Sequence, residues 1–81
     1  MDEIRKTVKK FILEEFLPGE DPSELTDSTP LISGGILDSI ATLKLVAFLE
    51  EQYGIVIGAH ETDPGNLNTI ASIAAFVQSK R

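Results

Sequence analysis

The sequence predicts an all-α fold: a four-helix bundle of three main helices and one short helix, with a long loop between helices one and two. Three observations carry that expectation. Apolar residues recur at spacings of three and four in separate stretches, the period of an amphipathic helix. Capping and stopping residues bracket those stretches. The one β-branched run, Ile55-Val56-Ile57, has no second strand-like run to pair with, and an isolated strand leaves its backbone groups unsatisfied.

The chain of 81 residues is read as one domain, 1–81. A domain this small buries about 60 to 65% of its unfolded surface, so its core is thin. There is no cysteine, which excludes a disulfide framework, a thiol nucleophile and a thiolate metal site. Seven basic against 13 acidic residues give a net charge of -6. That sign repels the phosphate backbone on which nucleic-acid affinity depends and favours basic protein partners. Met1 to Lys10 alternates charged with apolar residues, so neither a signal peptide nor a membrane span is expected. The expected protein is cytoplasmic, monomeric, and inserts into no membrane.

From Asp2 to Leu17, the residues Ile4, Val8, Phe11, Ile12 and Phe16 form one apolar stripe, which predicts helix one. Pro18-Gly19 stop it by removing a donor and freeing the backbone. Arg5, Lys6, Lys9 and Lys10 are read as its solvated face. Pro18 to Asp38 is rich in Pro, Gly, Ser, Thr and Asp, and so long an irregular stretch in a compact domain is normally functional or pinned. Leu25, Leu31, Ile32, Ile36 and Leu37 are its expected anchors.

Helix two is expected over Ser39 to Tyr53 and ends at Gly54. Leu45, Val46, Leu49 and Tyr53 share its core side. Ile40, Leu43, Lys44, Ala47, Glu50 and Glu51 share the other. Apolar residues on both sides of a helix in so thin a domain leave one face for a partner, here the side of Ile40, Leu43 and Ala47. Gly54 to Gly58 is read as an extended connection that sends Ile55 and Ile57 inward. His60 has no nucleophile or metal-ligand neighbour in sequence and is read as structural or solvated. Asp63 caps, and Pro64 opens, a short segment to about Leu67. Thr69 caps a last helix from Ile70 to about Ser79, with Ile70, Ile73, Ala74, Phe76 and Val77 as its stripe and Lys80-Arg81 complementing its dipole. Phe11, Phe16, Leu45, Leu49, Tyr53, Ile57, Ile73 and Phe76 are the core candidates.

The stretch Gly34-Gly35-Ile36-Leu37-Asp38-Ser39-Ile40 organises the rest. Asp38 or Ser39 caps helix two, and capping alone explains an Asp-Ser pair at a helix start. A second reading is open. A helix N-terminus stabilises negative charge, so a phosphate esterified to Ser39 would sit in a favourable field, with the glycines leaving room for a bulky attachment.

With its surroundings, this stretch resembles the acyl carrier protein family, including peptidyl and aminoacyl carriers, over nearly the whole chain. Gly35-Ile36-Leu37-Asp38-Ser39-Ile40 is similar to the family's Gly-x-Asp-Ser-Leu/Ile motif, with one additional residue between Gly and Asp. The Gly-Ile-Leu-Asp-Ser form looks most like carriers of amino acids such as the D-alanyl type. Leu45-Val46 and Leu49-Glu50-Glu51-Gln52-Tyr53 resemble the family's downstream pattern at the matching distance. The resemblance implies 4′-phosphopantetheine on Ser39, transferred from coenzyme A by a phosphopantetheinyl transferase, with acyl or aminoacyl cargo held as thioesters on its thiol. It implies a free-standing carrier and not an enzyme, acting as a shuttle for acyl- or amino-acid-activating and transferring enzymes with basic docking patches. Asp38, Ile40, Leu43, Lys44, Ala47, Glu50 and Glu51 would form the docking face. Ala41 and Lys44 depart from the acids frequent in fatty-acid carriers, which points to a specialised biosynthetic pathway. No catalytic and no metal-binding residue is expected. The alternative is a non-covalent docking or regulatory module in which Asp38-Ser39 only caps. A small enzyme is the poorer rival, since Ser39 lacks a base.

Overall fold

The second and the last predicted helices form where apolar stripes meet the capping residues Asp38 and Thr69. The computed structural model describes residues 2–19 and 25–81, so residues 20–24 of the predicted crossover lie outside the described residues. α1 spans Asp2–Phe16, α2 Ser39–Tyr53, α3 Pro64–Leu67 and α4 Ile70–Lys80, with a 3-10 turn at Ala59–Glu61. The arrangement is all-α, and no strand occurs among the described residues. α1 ends at Phe16, one residue before the expected Leu17, whose amide still donates to Ile12 and Leu13 carbonyls at 3.2 Å. α4 runs one residue past Ser79.

The core draws on all four helices and on the connections that flank α2, but not on the 3-10 turn. Ile4, Val8 and Ile12 come from α1, Leu45, Val46 and Leu49 from α2, and Ile70, Ile73, Ala74 and Val77 from α4. α4 packs on α1 and α3. Of the eight core candidates, Leu45, Leu49, Ile57 and Ile73 are buried, while Phe11, Phe16, Tyr53 and Phe76 are only half-buried against the core. Large rings in so thin a domain close the rim, where one face can stay wet. Phe48 joins that rim through a ring stack on Phe11, with centroids 4.0 Å apart and planes inclined by 13°.

The crossover is ordered where its anchors enter the core. Leu25, Leu31 and Leu37 are buried, and Ile32 and Ile36 are packed against the core. Backbone bonds fix it to the start of the last helix and to the junction before it: Ala71 donates to the Asp27 carbonyl at 3.1 Å and Leu31 donates to the Asn68 carbonyl at 2.6 Å. The first of these satisfies a helix-start amide that has no acceptor inside α4.

Gly54 ends α2 in the left-handed region, at φ 64°. The connection then alternates: Ile55 and Ile57 are buried and Val56 is exposed. Glu50 holds this extended segment, its Oε2 accepting the Ile57 amide at 2.9 Å. The Glu61 carboxylate joins the 3-10 turn to α4. It receives Lys80 Nζ at 2.8 Å on both oxygens, and the Gly58 amide at 2.9 Å.

Candidate functional site

Residues 31–39 form a pinned turn that delivers an acid and a hydroxyl to the start of α2. Asn68 pins its near end: its Oδ1 accepts the amides of Ile32 at 2.9 Å and Ser33 at 3.0 Å, and its Nδ2 donates to Ser33 Oγ at 3.2 Å. Gly35 turns the chain with φ 83° and its amide reaches the Ile32 carbonyl at 3.1 Å. A Cβ on Gly34 would collide with the Pro30 carbonyl. The two glycines therefore have a backbone purpose, a close approach and a positive φ, separate from the room for an attachment expected of them. Leu37 returns to donate to the Leu31 carbonyl at 2.9 Å and buries its side chain.

Asp38 is then extended, and its Oδ1 accepts the Ala41 amide at 2.8 Å. Its carbonyl receives the Thr42 amide at 2.9 Å and the Thr42 hydroxyl at 2.8 Å. The capping role belongs to Asp38. Ser39, the first residue of α2, is exposed and its hydroxyl takes part in no hydrogen bond among the described residues. The amides that open a helix lack intrahelical acceptors, so those of Ser39 and Ile40 stand beside that hydroxyl as anion donors.

Ser39 borders an open cleft of about 550 Å³. Ile32 and Leu37 of the turn, Asp38, Thr42 and Leu43 of the α2 start, and Thr62 beyond the 3-10 turn line it. Sequence reasoning singled out neither Thr42 nor Thr62 nor Asn68. Their roles arise from contacts that join segments distant in the chain, although Thr42 stands one turn from Ser39 and was within reach of a helical reading. His60 is exposed on the 3-10 turn and does not line the cleft.

Along α2, Ile40 is 67% and Leu43 65% exposed, and Lys44, Ala47 and Glu51 are exposed with them. Glu50, at the edge of this face, is half-buried, and its carboxylate also holds the Ile57 amide. The Glu61 carboxyl is held below its ordinary range by the Lys80 hydrogen bonds first and the Gly58 amide second. Among the described residues no group of histidine and acidic side chains is placed to hold a metal ion. No helix there is long and apolar enough to cross a membrane.

Residues 11–77 match the family model described as "Phosphopantetheine attachment site". The chain is 40% identical over 67 residues to "Probable acyl carrier protein PigG" of a Serratia species, covering 83% of this chain and 76% of that relative. It is 35% identical over 79 residues to "D-alanyl carrier protein 2" of Lactiplantibacillus plantarum, covering 98% and 95%. A solved chain described as "Crystal structure of FAD-dependent dehydrogenase" superposes with a TM-score of 0.78 at 36% identity, covering 86% of this chain and 97% of that one. The protein belongs to the phosphopantetheine-attachment family of acyl, D-alanyl and peptidyl carrier proteins. That family shuttles acyl and aminoacyl groups on 4′-phosphopantetheine held covalently by a serine, and its members are carriers, not enzymes. Phosphopantetheinyl transferases and acyl- or aminoacyl-transferring enzymes are the family's general partners.

Proposed function

We propose that Ser39 is the attachment serine and that residues 1–81 act as one carrier domain in a dedicated biosynthetic pathway. One observation carries the assignment: Ser39 is an exposed hydroxyl at the mouth of a cleft, released from capping by Asp38. The residues fit the group. The Ser39 and Ile40 amides and the positive end of α2 favour a phosphodiester at that point. Once bound, phosphopantetheine supplies the thiol on which cargo is carried as a thioester. The chain's own part is to fix the attachment point at a helix start and to present Ile40, Leu43, Lys44, Ala47 and Glu51 beside it. Asp38 orients the first turn and adds negative charge next to the attachment point. Coenzyme A and the enzymes that load the arm set the work in the cytoplasm.

Two features support a dedicated pathway. Ala41 and Lys44 make the docking face less acidic than is usual in fatty-acid carriers. The superposed chain of matching length belongs to a structure described for a FAD-dependent dehydrogenase, which suits cargo that is modified while tethered. Intact mass after incubation with coenzyme A and a promiscuous phosphopantetheinyl transferase tests the attachment. A single phosphopantetheine adduct on wild type and none on Ser39→Ala is expected. An adduct retained on Ser39→Ala, or none on folded wild type, refutes it.

A further inference from the structure

The cleft beside Ser39 has a chemical polarity as well as a volume. Thr42 Oγ1 donates its proton to the Asp38 carbonyl at 2.8 Å, and Thr62 Oγ1 donates its own to the Ala59 carbonyl at 2.8 Å. A threonine hydroxyl has one proton and two lone pairs, so both hydroxyls keep only acceptor capacity for anything else. Asp38 lines the same space with one carboxylate oxygen engaged by the Ala41 amide and a second oxygen remaining. Ile32, Leu37 and Leu43 supply the apolar remainder. Among the described residues no lining side chain is cationic. The only other hydroxyl is that of Ser39, whose proton is lost when it is esterified.

We infer that this cleft sorts cargo by its polar end: it accepts an aminoacyl group, whose nitrogen donates to Thr42, Thr62 and Asp38, and disfavours a malonyl-type group, whose outer carboxylate meets acceptors only. The inference rests on Ser39 being the attachment point and specifies the cargo class of that same site. An ammonium offers three donors and no acceptor. A neutral amine still donates, so the preference does not require the cation. A carboxylate in the cleft meets no side chain among the described lining residues with a donor left to replace its water. The net charge of -6 adds to that disadvantage. The amides of Ser39 and Ile40 do not relieve it, because on this reading the phosphodiester occupies them. A volume of about 550 Å³ is within the range of small-molecule sites, large enough for the end of a folded-back arm and a small acyl group.

The test loads three cargoes of similar size, alanyl, propionyl and malonyl, onto the protein. Their coenzyme A thioesters and a promiscuous phosphopantetheinyl transferase supply them, and each adduct is verified by intact mass. Amide and methyl NMR spectra are then compared for wild type, Thr42→Val, Thr62→Val and Thr42→Ser. Alanyl cargo is expected to shift the resonances of Thr42, Leu43 and Thr62, with propionyl weaker and malonyl indistinguishable from the unloaded arm. Each valine variant is expected to lower the docked alanyl population about fivefold, the scale of one neutral hydrogen bond, while Thr42→Ser retains it. Equal shifts for the three cargoes, or alanyl shifts that survive both valine substitutions, overturn the inference. A missing mass adduct overturns the attachment reading and the inference together. An adduct without cargo-dependent shifts overturns the inference alone.

Discussion

At Asp38 and Ser39, adjacent residues of similar size divide two tasks that sequence patterns normally leave merged. The carboxylate of Asp38 closes the helix start, so the hydroxyl of Ser39 is free for chemistry. Asp38→Ala is expected to cost about 1 kcal/mol, typical of a lost cap, and to lower the melting temperature by about 4 to 8 °C for a domain of this size. Ser39→Ala is expected to leave the melt nearly unchanged, as followed by circular dichroism. A comparable loss in both variants would return the cap to the serine. The sequence offered either residue as the cap, since both side chains carry a suitable oxygen. Only the extended backbone of Asp38 and its bond to Ala41 separate them.

Between elements, single side chains make the joints around the cleft. Asn68 serves the amides of Ile32 and Ser33 from the junction of α3 and α4. Asn68→Ala is expected to cost about 1 kcal/mol, as one half-buried and one exposed amide exchange their acceptor for water, and to speed hydrogen exchange at Ile32 and Ser33 over the rest of the crossover. Glu61 makes the second joint. Its folded carboxyl lies below the ordinary value of 4.5, so its stabilisation is present above that value and is lost as the pH falls through the lowered one. Wild type is therefore expected to melt higher than Glu61→Gln at neutral pH, with the gap closing below pH 4.5. A gap that persists in acid would show that the Lys80 pair is not its source. The helices were legible because apolar spacing and caps are local signals: α2 has the expected bounds, and Thr69 caps α4 by accepting the Ser72 amide at 3.0 Å. The joints were not legible, because Asn68 to Ile32 and Lys80 to Glu61 are pairings that only the folded chain creates. Glu50 shows the same limit, since its hold on the Ile57 amide is a further contact that its place on α2 does not announce.

Over the whole molecule, charge and exposed apolar surface point in one direction. The protein has a net charge of -6, yet the face beside Ser39 carries Lys44 among Ile40, Leu43, Ala47 and Glu51. Electrostatic complementarity acts mainly on encounter rate and on rejection of wrong partners. A fatty-acid synthase transacylase with a basic docking patch is therefore expected to load wild type slowly and Lys44→Glu faster, with the difference shrinking as salt rises. Efficient loading of wild type would remove the support that Ala41 and Lys44 give to a dedicated pathway. The exposed face was readable from its mixture of apolar and charged residues, and the exposures of Ile40 and Leu43 agree with that reading. The rim was misjudged because periodicity assigns a side of a helix and not a depth: Phe11, Phe16, Tyr53 and Phe76 face the core without being enclosed by it.

The ion pair between Lys80 and Glu61 also bears on where such a module can be excised. The family match ends at Val77, the last buried residue of α4, and trimming there looks harmless by hydrophobic content. Yet Lys80 lies beyond that point and grips Glu61, the neighbour of Thr62 in the wall of the cleft, while Arg81 lies over the Tyr53 ring at 5.5 Å. An excision that ends with the match keeps the α4 core residues and discards the clasp on that wall. When carrier modules are exchanged between assemblies, a junction that preserves this wall therefore retains Lys80 and Arg81.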